Sequence, residues 1–381
     1  MSEIKKILII DGFARQTLPM SKAFKKLGCQ VTVLCFSKLD VGYASRYPDK
    51  KIIFNCKKHE YSKQLEFVHS LIKKNKFDVV IPMTDNSAIY LANNKVELSK
   101  YTKIAVNDLK IFDLAIDKLN TMRVCSENNI GSPITLFSSN PIKDIEKSHI
   151  KFPIVIKPRT ASGSIGFNII ENKEKLSNYN NSNGLFIQEY IPQNTSQFGT
   201  EVFRDRKGNF KSLLVNEKPR WFPIDGGSPT INTTIINKKM VQMSKDLLDA
   251  MNWNGYANID FLLDSRDNEL KIIEINARIS AAVKLNFIAG IDIAKLILEN
   301  ELNQEVTNYN HYTEGVSIRC LLTELLWFIK SKDRFNTKPS IFKILKSKSV
   351  IFSWKDPFPF IVFTIQSLMN YKSEMKKRSR K

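Results

Sequence analysis

The sequence predicts a mixed α/β and α+β protein built from more than one domain. Its 381 residues exceed the roughly 100–200 of a typical domain, so two or three compact units are expected. Hydrophobic residues make up 43% and charged residues 25%, the balance of a globular chain and not of a disordered or fibrous one. Short β-branched runs alternate with helical periodicity in the first third of the chain, a pattern typical of an open, mostly parallel sheet. Hairpin patterns follow in the rest.

The first region begins as a β-α-β unit. Its expected elements are a strand at 4–10, a helix that ends at Gly28, a strand at 31–36, a helix at 61–74, a strand at 79–81 and a helix at 88–93. Glycine commonly ends helices, and parallel strands joined through helices form an open sheet. The turn after the first strand, Asp11–Arg15, matches neither of the common glycine-rich phosphate loops.

The second region is expected to hold a helix and a β-hairpin. The elements are a helix at 113–129, a strand at 153–158, and strands at 167–170 and 185–188. The residues between the first two strands, Arg159–Gly166, are mostly small, which predicts a flexible loop that can fold over a ligand. An ordinary surface turn explains the loop equally well.

The third region contains a second hairpin with acidic residues. Its expected elements are strands at 201–204 and 210–215, a helix at 238–251, a hairpin of 257–263 with 270–275, and a helix at 293–302. If the hairpin pairs in even register around 264–268, the side chains of Asp260, Glu274 and Asn276 converge. Two carboxylates and an amide oxygen suit Mg²⁺. The alternative is a strand edge whose Glu274 points to solvent.

Lys157 ends an apolar strand directly before the small-residue loop. An ammonium at this point can meet a phosphate that the loop amides also bind. The order of features carries more information than any one of them: a lysine-ended strand, a flexible loop, then Gln188–Pro192, then the acidic hairpin.

This succession resembles the ATP-grasp superfamily, in particular carboxylate–amine ligases similar to one half of the carbamoyl phosphate synthetase large subunit. The resemblance covers roughly residues 1–305. It implies a pre-ATP-grasp α/β domain at 1–112, a small lobe at 113–191, a large lobe at 192–305 and a basic, aromatic-rich C-terminal appendage at 306–381. It also implies that ATP, with Mg²⁺ or Mn²⁺, phosphorylates a carboxylate and that an amine attacks the acyl phosphate.

The resemblance assigns roles to individual residues. The implied nucleotide-binding residues are Lys118, Lys157, Ser162, Gly163, Ser164, Gly166, Gln188, Glu189, Tyr190, Ile191 and Gln197. The implied magnesium ligands are Asp260, Glu274 and Asn276, and the implied catalytic cations are Lys157, Arg278, Lys218 and Arg220. Residues 188–191 correspond to the hinge whose backbone reads adenine. Gln197 stands where relatives commonly carry an acidic ribose ligand, so Glu201 is an alternative for that role.

The implied substrates are a small-molecule or sugar-linked carboxylate and an amine. Similar stand-alone ligases occur in bacterial surface-polysaccharide biosynthesis, and by analogy we expect that context here. A non-catalytic MgATP-binding regulatory or scaffold protein with this fold is the alternative. Charge alone suggests nucleic acid, which we do not expect as a partner because the other motifs point elsewhere.

The positive charge is concentrated near the C-terminus. The whole chain has a net charge of +20, and residues 330–381 hold 14 Lys and Arg against 3 Asp and Glu. Aromatic residues lie among these lysines, which is typical of peripheral contact with an anionic membrane, though a helical cap with solvated lysines has the same composition. The apolar runs are too short to span a bilayer, and five scattered cysteines indicate a reducing, cytoplasmic compartment.

Overall fold

The computed structural model describes most of the chain. The described residues are 3–54, 61–137, 145, 148, 150–160, 166–176, 179, 184–192, 196–224, 227–342 and 347–378. Ser162, Gly163 and Ser164, which the sequence assigns to the phosphate-covering loop, lie outside these residues.

The first region is a five-stranded parallel sheet, as predicted. Its strands are β1 (Lys6–Ile9), β2 (Gln30–Cys35), β3 (Lys50–Ile53), β4 (Val79–Ile81) and β5 (Lys103–Ile104), in the order β3-β2-β1-β4-β5. Its helices are α1 (Thr17–Lys26), α2 (Val41–Ala44), α3 (Tyr61–Lys74), α4 (Asp85–Asn93) and α5 (Lys95–Leu98). Ile7 and Ile9 belong to one buried cluster, and Leu8 and Ile10 belong to another. The first strand is a continuous apolar run because both faces of the sheet are covered.

The predicted helix at 113–129 is wrong as a single element. The structure has two helices, α6 (Leu109–Ile116) and α7 (Lys118–Glu127), separated by Asp117 in an extended conformation. The Asp117 carboxylate accepts a hydrogen bond from the Leu119 amide at 3.0 Å and another from Arg159 Nε at 2.8 Å. This N-cap breaks the helix and leaves Lys118 as the first residue of α7.

A small antiparallel sheet follows. It consists of β6 (Ile154–Pro158), β7 (Asn168–Ile170) and β8 (Leu185–Glu189) in the order β7-β6-β8, with the short helix α8 (Lys173–Leu176). The predicted hairpin of β6 and β7 is confirmed. Gly166, just before β7, has a φ of +73°, and an added Cβ would lie 2.7 Å from Pro158 Cγ. Both facts explain why glycine occupies this position.

The largest sheet has seven strands. In chain order the strands of the region are β9 (Gln197–Arg204), β10 (Phe210–Lys218), β11 (Trp221–Phe222), β12 (Ser228–Pro229), β13 (Ile231–Ile235), β14 (Gly255–Asp264), β15 (Glu269–Asn276), β16 (Ser317–Arg319) and β17 (Ser347–Ser349). The large sheet runs β15-β14-β9-β10-β13-β16-β17, and β11 pairs with β12 separately. Strands β16 and β17 come from the segment predicted as an appendage, so that segment shares the sheet of the large lobe.

Helices pack against both faces of this sheet. They are α9 (Lys238–Ala250), α10 (Lys284–Ala289), α11 (Ile293–Glu301), α12 (Leu321–Lys330) and α13 (Phe358–Arg378). Met240 and Leu247 of α9 share a buried cluster with Val202, Val215 and Ile259 of the sheet. Because strand side chains alternate, the residues between these apolar ones lie on the opposite face. Among the described residues, no helix is both long and apolar enough to cross a membrane.

Candidate active site

The face of the large sheet opposite α9 is polar around the β14–β15 hairpin. Asp260 on β14 is the Cα partner of Glu274 on β15, and Asn258 is the partner of Asn276. Asp260 also pairs with Gly199 on β9. The prediction that Asp260, Glu274 and Asn276 converge is therefore confirmed.

A β-bulge produces this convergence. Beside the turn, Asp264 pairs with Glu269 and Phe261 with Ile272, but the next pair is Asp260 with Glu274, so Ile273 is an extra residue on β15. Without it, the pairing set by the turn would place Glu274 opposite Ile259, on the other face of the sheet. The even register that the sequence suggested therefore holds only beyond the bulge, in the part of the hairpin away from the turn, where Asp260 pairs with Glu274.

Each carboxylate of the pair contacts a lysine. Lys118 Nζ lies 3.1 Å from Glu274 Oε2, and Lys218 Nζ donates a hydrogen bond to Asp260 Oδ1. The Asn276 side-chain amide donates to Asp260 Oδ2 at 3.1 Å. Each of the two predicted carboxylate ligands is thus paired with one predicted cation.

Burial and charge act in opposite directions on these groups. Burial would raise the pKa of Glu274, but Lys118 and Lys157 outweigh it, and that pKa is lowered. Burial raises the pKa of Asp260 because Lys218 offsets only part of the effect. Burial lowers the pKa of Lys157 to about 8; Glu274 opposes this shift and Lys118 adds to it. The charged form of Lys157 is thus disfavoured in the free protein, and an anion bound beside its ammonium group would favour that form.

Arg278 connects the site to the first region. Its Nε atom lies 3.0 Å from Asp85 Oδ1, at the start of α4, and its Nη2 atom lies 3.4 Å from Asn276 Oδ1. The position of α4 is fixed by Asp11, which accepts hydrogen bonds from the Thr84 amide at 3.0 Å and from the Ser87 hydroxyl at 2.5 Å. The Asp11 turn, which matches no phosphate loop, thus helps to hold Arg278.

The site opens into a cavity of about 280 Å³. The predicted residues that line it are Lys118, Lys157, Gln197, Lys218, Asp260, Glu274, Asn276 and Arg278. Arg15, Glu201 and Asn258 line it as well. Arg15 comes from the loop after β1, and no local sequence pattern indicates that its side chain lines a cavity with residues of the large lobe.

The hinge residues form a different set of contacts. The Glu189 amide donates to the Ile134 carbonyl at 2.9 Å, and its carboxylate accepts from the Ile134 amide and from Arg266, each at 2.8 Å. The backbone amide of Glu189 is therefore already paired within the protein. Gln188 donates a side-chain hydrogen bond to Thr135 at 2.9 Å. Within the described part of the chain, Tyr190 and Ile191 make no hydrogen bond.

Arg220 does not line the cavity. Its guanidinium forms two parallel hydrogen bonds to Glu324, at 3.1 and 2.8 Å, and lies over the ring of Trp327 at 5.1 Å. The side chain is 1% exposed. The structure therefore corrects the prediction of a catalytic cation and places Arg220 in a buried ion pair with α12.

The acidic group has the chemistry of a magnesium site. Two carboxylates and one amide oxygen are hard ligands, and Mg²⁺ commonly takes one or two protein carboxylates together with water and substrate phosphates. In the described residues, no cluster of three His, Cys, Asp or Glu side chains offers a metal site of another kind. Asp260, Glu274 and Asn276 are thus the residues that fit a divalent cation.

Comparison with known proteins identifies the fold. Residues 115–282 match the family model of the ATP-grasp domain. The chain is 24% identical over 255 residues to D-aspartate ligase of Enterococcus faecium, a match that covers 60% of each protein. It is 23% identical over 253 residues to the N-terminal section of the carbamoyl phosphate synthase large chain of Methanopyrus kandleri, covering 60% of this chain and 44% of that protein. The chain thus spans less than two thirds of both curated relatives.

A solved structure extends the likeness over more of the chain. The biotin carboxylase of Campylobacter jejuni, in its β,γ-ATP complex, superimposes with a TM-score of 0.70 at 15% identity, covering 83% of this chain and 74% of that one. At this identity the likeness concerns the fold. The expected ATP-grasp resemblance and the mixed α/β fold class are confirmed.

Proposed function

We propose that this chain, whose residues 115–282 are an ATP-grasp domain, is an ATP-dependent ligase that joins a carboxylate to an amine. The observation that carries the proposal is the facing arrangement of charges in the cavity. The cations Arg15, Lys118, Lys157, Lys218 and Arg278 surround the carboxylates of Asp260 and Glu274. Such a site suits a nucleoside triphosphate bound through a divalent cation, together with a second anionic substrate.

The proposed reaction needs charge neutralisation more than a nucleophilic side chain. Asp260, Glu274 and Asn276 would hold Mg²⁺, which when bound neutralises charge on the transferring phosphate. Lys157 and Arg278 act on the same negative charge from the protein side. The substrate carboxylate attacks the γ-phosphorus of ATP, ADP leaves, and the amine displaces phosphate from the acyl phosphate. Phosphoryl transfer of this kind depends mainly on positioning and electrostatics.

The substrates are the least defined part of the proposal. One curated relative is named a D-aspartate ligase, so amino acids belong in any screen. Sugar-linked carboxylates belong there as well, because the analogy with surface-polysaccharide ligases suggests them.

A screen of carboxylate and amine pairs with MgATP tests the proposal. Mass spectrometry should detect a condensed product that forms together with ADP, and Glu274→Gln should abolish both. Tight MgATP binding by calorimetry without turnover of any pair would instead support the non-catalytic alternative.

We also propose that the C-terminal helix contacts an anionic membrane surface. Phe360 and Phe363 of α13 pack inward against the buried cluster that contains Ile7 and Ile9. The outward apolar residues are Trp354, Phe358, Ile361, Ile365, Leu368 and Met369, with exposures of 89%, 64%, 51%, 43%, 67% and 71%. An exposed apolar stripe within a segment of net charge +11 complements an anionic bilayer.

Vesicle sedimentation tests this contact. The full chain should pellet with phosphatidylglycerol-containing vesicles and not with pure phosphatidylcholine, and Leu368→Asp with Met369→Asp should release it. Val96→Asp is the matched control, because Val96 is an isolated apolar residue that is 88% exposed in the first region. Failure of the intact chain to pellet would contradict the proposal. A double variant that pellets as well as the parent would also contradict it.

A further inference from the structure

Glu201 is a buried carboxylate that the proposed phosphate and metal chemistry does not use. It lies on β9 opposite Asn258 and two residues from Gly199, the partner of Asp260. Its side chain lines the cavity although its exposed fraction is 0%. Full burial of a carboxylate requires compensation by hydrogen bonds or a cation.

Only one of its two oxygens is compensated. Oε2 accepts hydrogen bonds from the Tyr256 hydroxyl, at 2.8 Å, and from the Asn286 amide. Oε1 accepts no hydrogen bond within the described part of the chain. Tyr256 and Asn286 thus fix the carboxylate in place. The Ser280 hydroxyl and the charge of Lys218 also stabilise it, but neither forms a hydrogen bond of ordinary geometry with Oε1. A buried acceptor without a partner is unfavourable, so its place on the cavity wall points to a ligand that supplies the donor.

The chemistry of the missing donor can be narrowed. The nearby cations are already engaged, since Lys218 contacts Asp260 and Lys118 contacts Glu274. The phosphate and carboxylate substrates are anions, which a carboxylate repels. A ribose hydroxyl, the ligand named above as the alternative for Glu201, is a donor without charge and leaves the buried carboxylate charge unbalanced. An ammonium group has three N–H donors, no acceptor and a positive charge, and it complements the free Oε1 atom.

We infer that Glu201 binds the ammonium group of the amine substrate and accepts its proton. This inference rests on the proposed ligase function and adds the site of the second substrate. Burial raises the pKa of Glu201, and the hydrogen bonds from Tyr256 and Asn286 only partly offset that effect. The raised value makes the carboxylate a better proton acceptor near neutral pH.

The ammonium gives one proton to Glu201 and becomes a neutral amine with a free electron pair. That pair attacks the acyl carbon, the new C–N bond forms, and the C–O bond to phosphate breaks with its electrons going to the phosphate. The second proton from nitrogen goes to the departing phosphate. Glu201 returns its proton to water after the product leaves.

The Glu201→Gln variant tests the inference when two nucleophiles are compared. Hydroxylamine is largely unprotonated at neutral pH and traps the acyl phosphate as a hydroxamate without a base. The variant should form hydroxamate at a rate within about threefold of the parent. With the amine substrate found by the screen, its kcat/KM at pH 7 should fall about 100-fold or more, and it should recover as the pH approaches the pKa of the amine.

Two further variants distinguish a role in proton transfer from a purely structural role of Glu201. Glu299→Gln is the matched control, because Glu299 accepts a hydrogen bond from the Thr307 amide at 2.8 Å and does not line the cavity. Glu201→Asp keeps the charge and should retain part of the amine-dependent rate even if the glutamine variant folds poorly.

Three outcomes would count against the inference. Unchanged kcat/KM for the amine in Glu201→Gln would overturn it. A parallel loss of both reactions in both Glu201 variants would also overturn it: a raised KM for ATP would assign Glu201 to the ribose, and an unchanged KM would indicate a structural role. Failure of the parent protein to form hydroxamate with any carboxylate would instead refute the ligase function on which the inference rests.

Discussion

Asp260 and Glu274 lie directly opposite each other on β14 and β15, in a pairing that differs by one residue from the one set at the turn of the same hairpin. The extra residue, Ile273, lines the cavity beside them. Two carboxylates therefore share one face of the sheet, where Lys118 and Lys218 each neutralise one of them. This pair is the centre of the proposed nucleotide site.

Removal of either charge should abolish turnover. We expect Glu274→Gln and Asp260→Asn each to lower kcat for ADP release by about 100-fold or more, because each change removes a ligand of the divalent cation that neutralises the phosphates. Asp267→Asn is the control on the same hairpin, since Asp267 is 47% exposed and pairs with Lys271 outside the cavity. Full turnover in either site variant would show that the carboxylate pair has another role.

The pH dependence of MgATP binding should report on Lys157. Its pKa in the free protein is lowered to about 8, chiefly by burial, so the ammonium becomes neutral as the pH rises above 8. Bound phosphates favour the charged form and raise that pKa, so binding takes up a proton in this range. The affinity should therefore fall with rising pH above 8, by at most tenfold per pH unit.

Titration calorimetry from pH 7 to 9.5 measures this change. Lys157→Met should bind more weakly, with a flatter profile above pH 8. An equally steep decline in that variant would assign the pH dependence to another group.

The buried ion pair between Arg220 and Glu324 should matter for stability and not for phosphate chemistry. Glu324→Gln leaves Arg220 and Arg319, both 1% exposed, without their carboxylate. We expect a loss of about 3–5 kcal/mol in the free energy of unfolding, measured by urea denaturation. The control Glu269→Gln breaks a pair with Lys239 that is 53% exposed on both sides, and should cost less than about 1 kcal/mol. If Glu324→Gln were as stable as the parent but had lost turnover, Arg220 would have a catalytic role and not a structural one.

A methyl group at Gly199 should disturb the site without disturbing the fold. An added Cβ would lie 2.7 Å from Lys218 Nζ and 3.4 Å from Asp260 Oδ1. The flexible end of Lys218 can move aside, so Gly199→Ala should unfold at nearly the parental temperature. It should lose turnover at least tenfold, because Lys218 is displaced from Asp260. Parental turnover would mean that this contact is not needed for catalysis.

Local patterns predict many of the elements but not all of them, and few of the contacts between them. The strand at Val79–Ile81 and the helix at Tyr61–Lys74 follow from apolar periodicity, and the structure has them with those bounds. The break between α6 and α7 did not follow, because it depends on Asp117 meeting Arg159, 42 residues away. The bulge at Ile273 could not be predicted from the sequence either, because the residues around it are ordinary strand formers.

Contacts between distant segments explain the remaining differences at the site. Lys218 and Arg220 are two residues apart and both cationic, yet one reaches Asp260 and the other pairs with Glu324 on a helix that comes 104 residues later. Arg15 and Asp85 enter the site from the first region, which no local pattern indicates. The sequence indicated Glu201 only as an alternative ribose ligand, and the role proposed here depends on the burial and the hydrogen bonds of its carboxylate in the folded chain.

Transfer of oxygen from the substrate carboxylate to phosphate tests the central claim most directly. A carboxylate substrate labelled with ¹⁸O should be incubated with MgATP and the amine, and the phosphate analysed by ³¹P NMR. If the carboxylate attacks the γ-phosphorus, one ¹⁸O atom appears in inorganic phosphate together with ADP, and Glu274→Gln forms neither. Release of AMP and pyrophosphate, or of phosphate without the label, would contradict the account.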